Sequence, residues 1–262
     1  MKIKHEINAI FTIAARDFTK LIRDRARIFA TFMFPIIFIG VLGGSLQANL
    51  GKQVGYNFLT FVFIGVLGQT LFQSTASGII SLVKDRETDF SQEMFVSPIS
   101  RYSIVIGKLL GESLVALTQT VGIILFAIIA RVPITFLDLA KLIPFTLVVC
   151  MLGGAFGLIV LSNLSNQTAA NQLFPFLIFP QFFLSGVFSP IKELPPILFV
   201  LSRITPMTYG VDLLRGVYYW GKPEYAKIVI LNPFVNLIII GVVFAVFSSI
   251  GTLLFIKNER NK

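Results

Sequence analysis

The residues able to do chemistry in this 262-residue chain are few and far apart. His5 is the only histidine and Cys150 the only cysteine. A His/Cys metal centre, a histidine-dependent triad and an intrachain disulfide are therefore not expected, and no bound cofactor is implied. No phosphate loop of the GxxxxGKS/T form occurs, so no ATP site of that type is expected in the chain itself. Glu112 is the only carboxylate well inside an apolar run, and Lys108 stands four residues before it, the spacing of a helical ion pair. Gln69, Gln73, Gln119 and Gln181 are polar groups inside other apolar runs. Such residues face a wet path or hydrogen-bond between helices, and Gln69 and Gln73 share one helical face. Asp212 and Arg215, three apart, are expected to pair with each other rather than to touch a substrate.

The elements that must position these groups are membrane spans. Hydrophobic residues make up 55% of the chain and charged ones 13%, against roughly 25% charged in a soluble domain. Too little polar surface exists to cover the chain in water, and its length is taken up by apolar runs near the ~20 residues that cross a bilayer. The expected fold is an all-α polytopic membrane protein with six spans, at about 28–46, 56–80, 102–130, 139–161, 168–187 and 228–256. Together, 28–256 form one membrane domain, preceded by 1–27 and followed by a short tail, 257–262. No cleavable signal peptide is read, because the first strongly apolar run begins only after Arg27.

The net charge of +9 comes from short basic clusters flanking apolar runs, a pattern of topology signals rather than of nucleic-acid binding. The densest cluster, Lys2, Lys4, Arg16, Lys20, Arg23, Arg25 and Arg27, places the N-terminus in the cytoplasm by the positive-inside rule. Six spans return the C-terminus to the same side. Within the N-terminal segment Ile3, Ile7, Ile10, Ala14, Phe18 and Leu21 recur at helical spacing, as in a basic amphipathic helix lying in the cytoplasmic interface. Packing of that helix on a soluble partner is the other reading. Gly40 and Gly44, Gly107 and Gly111, and Gly153 and Gly157 repeat at four, a spacing that allows close helix approach within or between chains.

Two connecting segments carry most of the information. In the cytoplasmic loop 84–108, Thr88 is placed to cap a short helix on which Phe90 and Met94 share a face beside Phe95 and Val96, and Pro98 ends it. Apolar side chains on such a loop either dock on a partner or fold back on the membrane. In the outer segment Ser189-Pro190 and Pro195-Pro196 break the chain, 197–201 is too short to cross, and Thr205-Pro206 starts another helix running to about 219. Two short half-helices in the outer leaflet between spans five and six are predicted, with Tyr218, Tyr219 and Trp220 anchoring at the outer interface.

The runs DRETDFSQEMFVSPISR followed by GK, FFLSGVFSPIKELP and ITPMTYGVDLLRG, in that order, resemble the type-2 ABC exporter permeases, the membrane subunits of bacterial efflux systems such as the daunorubicin-resistance type. The resemblance spans the whole chain. It implies a coupling helix at roughly 88–96 pressed into a groove of a separate ATP-hydrolysing subunit, with Glu87, Phe90, Met94 and Phe95 as contacts. Many relatives are expected to carry glycine where this chain has Asp89, an acidic residue still suited to a first helical turn. The implied assembly is two permeases, identical or not, on two ATPases that hold ATP and Mg, in a bacterial inner membrane. A lipophilic or amphiphilic cargo is expected, with polysaccharide or glycolipid export as the alternative and a non-transporting scaffold or assembly factor as the reading of another class. A membrane enzyme is disfavoured for want of convergent ionisable groups.

Overall fold

The computed structural model describes residues 2–83, 99–164 and 166–260, and among them all regular structure is helical, with no strand. In chain order the helices are α1 (Lys2–Arg23), α2 (Arg25–Ile36), a π-helical segment (Ile37–Gly43), α3 (Gly44–Val54), α4 (Phe58–Ile80), α5 (Arg101–Ile129), α6 (Phe136–Ser162) and α7 (Gln167–Leu184). A 3-10 turn (Ile191–Glu193), α8 (Pro196–Ile204), α9 (Pro206–Tyr218), the one-turn α10 (Tyr225–Ile228) and α11 (Pro233–Arg260) complete them.

Among the described residues five stretches are long and apolar enough to cross a membrane: Phe32–Asn49, Phe58–Ile80, Tyr102–Ile129, Phe136–Ser162 and Tyr225–Leu254. Their outer faces carry exposed Val121, Leu125 and Ile128 on α5, Ile143 and Leu147 on α6, and Phe234, Ile238 and Val242 on α11. Apolar belts of that extent are stable against lipid rather than water. The chain is thus an all-α polytopic membrane protein. The expected fifth span is α7, which ends at Leu184; its 18 residues open on polar Gln167, Asn171 and Gln172 and include Pro175 and Pro180. Its composition is less apolar than that of the five. The pair α8 and α9 is long and apolar enough only when taken together, and it is bent by 93°. The predicted break into two short helices is therefore present.

The helix of the first crossing runs on beyond its apolar run. Pro35 has no N–H to donate and its ring crowds the preceding turn, and the backbone bonding slips to the π register from Ile37 onward. The helix then continues past Leu46 to Val54 and stops at Gly55, whose φ of 72° suits glycine. The polar residues that made 47–54 look like a loop have work inside the helix: the Gln47 side-chain Oε1 accepts the Phe58 and Leu59 N–H groups at the start of α4.

Helix α4 is the centre of the bundle. Phe61, Val62, Phe63 and Ile64, four consecutive residues that together cover the whole helical circumference, are all fully buried. The glycine repeats mark the closest approaches. A Cβ on Gly157 would stand 2.6 Å from the Ala76 carbonyl oxygen and 2.9 Å from its Cα, so α6 lies backbone to backbone on α4. A Cβ on Gly111 would stand 3.0 Å from Ala14 Cα, and one on Gly107 3.0 Å from the Ile10 carbonyl oxygen, which puts α1 against α5. Both repeats thus work within the chain. Gly157→Ala is expected to destabilise by about 1–3 kcal/mol through overpacking. Gly44→Ala, where nothing lies within 4 Å of the added carbon, is expected to gain up to about 1 kcal/mol of helix propensity. Melting temperatures of the two purified variants in detergent check the opposite signs.

Candidate translocation path and coupling elements

Gln69 and Gln73 meet as their spacing predicted: the Gln69 amide donates to Gln73 Oε1 at 2.6 Å. The bond lies along α4 rather than between helices. Gln69 is buried, Gln73 half-buried and Ser77, one turn further on the same face, exposed. This polar stripe therefore opens progressively toward the C-terminal end of α4. Ser77 was legible at the same four-residue spacing, but a serine in an apolar helix gives a weak signal, because its hydroxyl can bond back to the helix itself. Gln119 and Gln181 are buried on α5 and α7, and the Gln181 amide donates to the Leu177 carbonyl within its own helix at 2.9 Å. Neither joins the Gln69–Gln73 pair by a hydrogen bond. Gln69, Gln119 and Gln181 each keep a buried Oε1 without a protein donor, so each leaves an acceptor facing the interior of the bundle.

Helix α1 meets the bundle through charge as well as through glycines. Its buried stripe is Ala9, Ile13, Ala14, Asp17 and Leu21, whereas Ile7, Phe11 and Ile22 are exposed. The expected apolar face is thus divided, one part against α5 and another outward. Lys108 Nζ on α5 lies 2.9 Å from Asp17 Oδ2 and 3.1 Å from Glu112 Oε1, with all three side chains no more than 3% exposed. The predicted Lys108–Glu112 pair is present. Asp17, which the sequence reading passed over, completes it, and Arg16 holds the other Asp17 oxygen at 3.0 Å. The Glu112 carboxylate rests on Gly78 of α4, so this cluster joins α1, α5 and α4.

Glu87, Thr88, Phe90, Met94, Phe95 and Pro98 of the predicted coupling loop lie outside the described residues. The loop's exit is described. Ser100 caps α5 by accepting the Tyr102 N–H at 3.2 Å, and its own N–H donates to both carboxylate oxygens of Glu6 at 3.1 Å. Helix α1 therefore grips the chain where the loop rejoins the bundle.

At the opposite end, the expected Asp212–Arg215 pair does not form. Asp212 accepts the Ile230 N–H at 2.8 Å, the Leu231 N–H at 2.9 Å and the Asn236 amide at 2.8 Å, tying α9 to the entry of α11. Arg215 donates to the carbonyl oxygens of Val187 at 3.2 Å and Phe61 at 3.4 Å, with its guanidinium 3.6 Å from the Phe61 ring centre. The cause is the irregular backbone at 185–190 and 229–232, whose polar groups have no helical partners and take the two charges instead. Thr205 likewise begins α9 without capping it, its hydroxyl donating back to the Leu201 carbonyl. Of the three aromatic anchors, Tyr218 and Tyr219 are core residues and only Trp220 is exposed. The Tyr218 hydroxyl donates to the Pro133 carbonyl at 3.1 Å, holding the α5–α6 turn.

A central helix with a polar stripe, a contact of α1 with residue 100 and a pair of short helices bent by 93° stand in a bundle of membrane-crossing length. The chain belongs to the ABC-2 type transporter family, whose model matches residues 8–219. It is similar to a putative transport permease, ycf38, of Cyanophora paradoxa, 24% identical over 96% of this chain and 89% of that protein. A probable multidrug ABC transporter permease of Escherichia coli, YbhR, is 31% identical over 53% of this chain and 38% of its own length. An ABC transporter G family member of Dictyostelium discoideum is 27% identical over 62% of this chain and 23% of that protein. The chain is therefore a multi-pass permease subunit of the ABC-2 type, which associates with an ATP-binding subunit.

Proposed function

We propose that this chain forms half of the translocation path of an ATP-driven exporter for a lipophilic or amphiphilic cargo. The observation that carries the reading is the Gln69–Gln73–Ser77 stripe, the polar seam on a central helix enclosed by its neighbours elsewhere. Gln119 and Gln181, with their unpartnered acceptors, serve the same path on neighbouring helices. Two copies of the permease stand on two copies of the ATPase, which bind ATP and Mg. The complex sits in a bacterial inner membrane with both termini in the cytoplasm, α7 as the fifth crossing and the α8–α9 hairpin dipping in from outside. Helix α1 lies at the cytoplasmic interface with Ile7, Phe11 and Ile22 toward lipid.

ATP binding draws the two ATPases together, and Glu87, Thr88, Phe90, Met94, Phe95 and Pro98 transmit that movement to the spans. The grip of Glu6 on Ser100 gives α1 a share in the transmission. The test is cargo-stimulated ATP hydrolysis by the reconstituted complex in liposomes. Phe90→Ala with Met94→Ala is expected to lower stimulated hydrolysis at least about tenfold, because each truncation of an interface anchor costs on the order of 1–2 kcal/mol. Unchanged stimulation and unchanged complex assembly in that double variant would remove the coupling assignment.

A further inference from the structure

A trough of about 530 Å³ lies between the start of α6, the end of α9 and the start of α11. Its walls are Pro144, Phe145, Val217 and Leu237, and Trp220, Lys141 and Asn232 stand at its rim. That volume is within the roughly 300–1,000 Å³ of small-molecule sites. The trough lies beside the exposed apolar residues Ile143, Phe234 and Ile238, so what enters it arrives from the hydrocarbon rather than from water. Its level is that of the α5–α6 turn and of Trp220, the end of the bundle opposite the Glu6–Ser100 contact.

The rim has the chemistry of a phosphate subsite. Lys141 is exposed and, among the described residues, has neither a hydrogen bond nor an ion pair. The carboxylate one turn before it on α6, Asp138, is already engaged: it accepts from the Thr135 hydroxyl at 2.8 Å and lies 3.3 Å from Lys222 Nζ. The Asn232 side-chain Oδ1 accepts the Phe234 N–H at 2.9 Å, which leaves the side-chain N–H groups of Asn232 to donate. The rim thus offers a cation and an amide donor above an apolar slot. A soluble anion would not need the slot. An apolar helix of a second permease would fill the slot and leave Lys141 without a counter-charge.

We propose that this trough is a specific phospholipid site in which one acyl chain lies along Phe145, Val217 and Leu237 and the phosphate sits on Lys141 and Asn232. The bound lipid wedges the re-entrant hairpin against α11. This site is separate from the Gln69–Gln73–Ser77 seam and does not depend on which cargo that seam carries.

The test uses the full chain purified in detergent, with lipid retention read by native mass spectrometry. Phosphatidylglycerol is titrated in, with diacylglycerol of the same chains as the phosphate-free comparison. The wild type is expected to retain one phosphatidylglycerol per chain, saturably, and not diacylglycerol. Lys141→Gln is expected to weaken retention about fivefold, the worth of one interfacial lysine. Val217→Trp, which fills the slot, is expected to abolish it. Retention by Lys141→Gln equal to wild type, equal retention of diacylglycerol, or non-saturating uptake would each overturn the proposal. Lys141 is at the surface, so its variant folds and carries the test even where Val217→Trp does not.

Discussion

Lys108→Ala is expected to cost about 3–5 kcal/mol and to release α1 from the bundle. The lysine is the shared partner of two carboxylates on different helices, Asp17 at 2.9 Å and Glu112 at 3.1 Å, in a site from which water is almost excluded. Removing it takes the shared cation from two carboxylates buried side by side in a low dielectric, while Arg16 stays on the outer oxygen of Asp17. The neighbouring helix cannot move in to close the gap, because α1 already touches α5 backbone to backbone at Gly107 and Gly111. The expected readout is a large fall in melting temperature, together with faster proteolysis within 2–23. Lys108→Met with Asp17→Asn and Glu112→Gln, which removes the charges together, is expected to recover most of the stability, since an apolar replacement of a whole buried cluster is often neutral. If Lys108→Ala melted like the wild type, the cluster would contribute nothing to holding α1.

Five of the six spans and the broken pair of short helices were legible because their signals are local. Apolar runs of bilayer length are set by the solvent they meet, and consecutive proline breaks at 190, 195, 196 and 206 fix where regular helix must stop. The continuation of the helix past the first apolar run to Val54 was not legible, because Gln47 looks like a loop residue until the start of α4 is placed beside it to donate to its side-chain Oε1. The glycine repeats were visible as repeats, but which helix each would meet depends on packing that no single span encodes. Gly107 and Gly111 turned out to serve α1, a helix outside the apolar runs.

The site shows the same division. Gln69 with Gln73, and Lys108 with Glu112, are pairs within one helix, where a four-residue spacing almost dictates contact. Asp17 joins the second pair from another helix across a sequence gap that no periodicity spans. The tyrosines failed for a related reason. Tyr218 and Tyr219 read as interface anchors next to Trp220, but the bent helix pair turns one face to the core, and only Trp220 stays exposed.

Asp212→Ala is expected to be the other severe substitution, costing about 3 kcal/mol or more. It would strip the acceptor from the N–H groups of Ile230 and Leu231 and from the Asn236 amide at once, and each buried donor left unmet costs about 1–3 kcal/mol. The entry of α11 would lose its tie to the hairpin, which cysteine labelling at 229–232 reads directly as raised accessibility. Asp212→Asn keeps one acceptor but turns an N–H toward a donor, so an intermediate loss is expected. Arg215→Ala acts elsewhere, freeing the carbonyls of Val187 and Phe61 and opening a cavity beside the Phe61 ring. Because the two charges hold different segments, a double-mutant cycle is expected to give a coupling below about 1 kcal/mol, left by their long-range attraction. An ion pair would give more, with the double variant no worse than the harsher single one. The cycle therefore separates two independent staples of the outer hairpin from the mutual pair that their spacing first suggested.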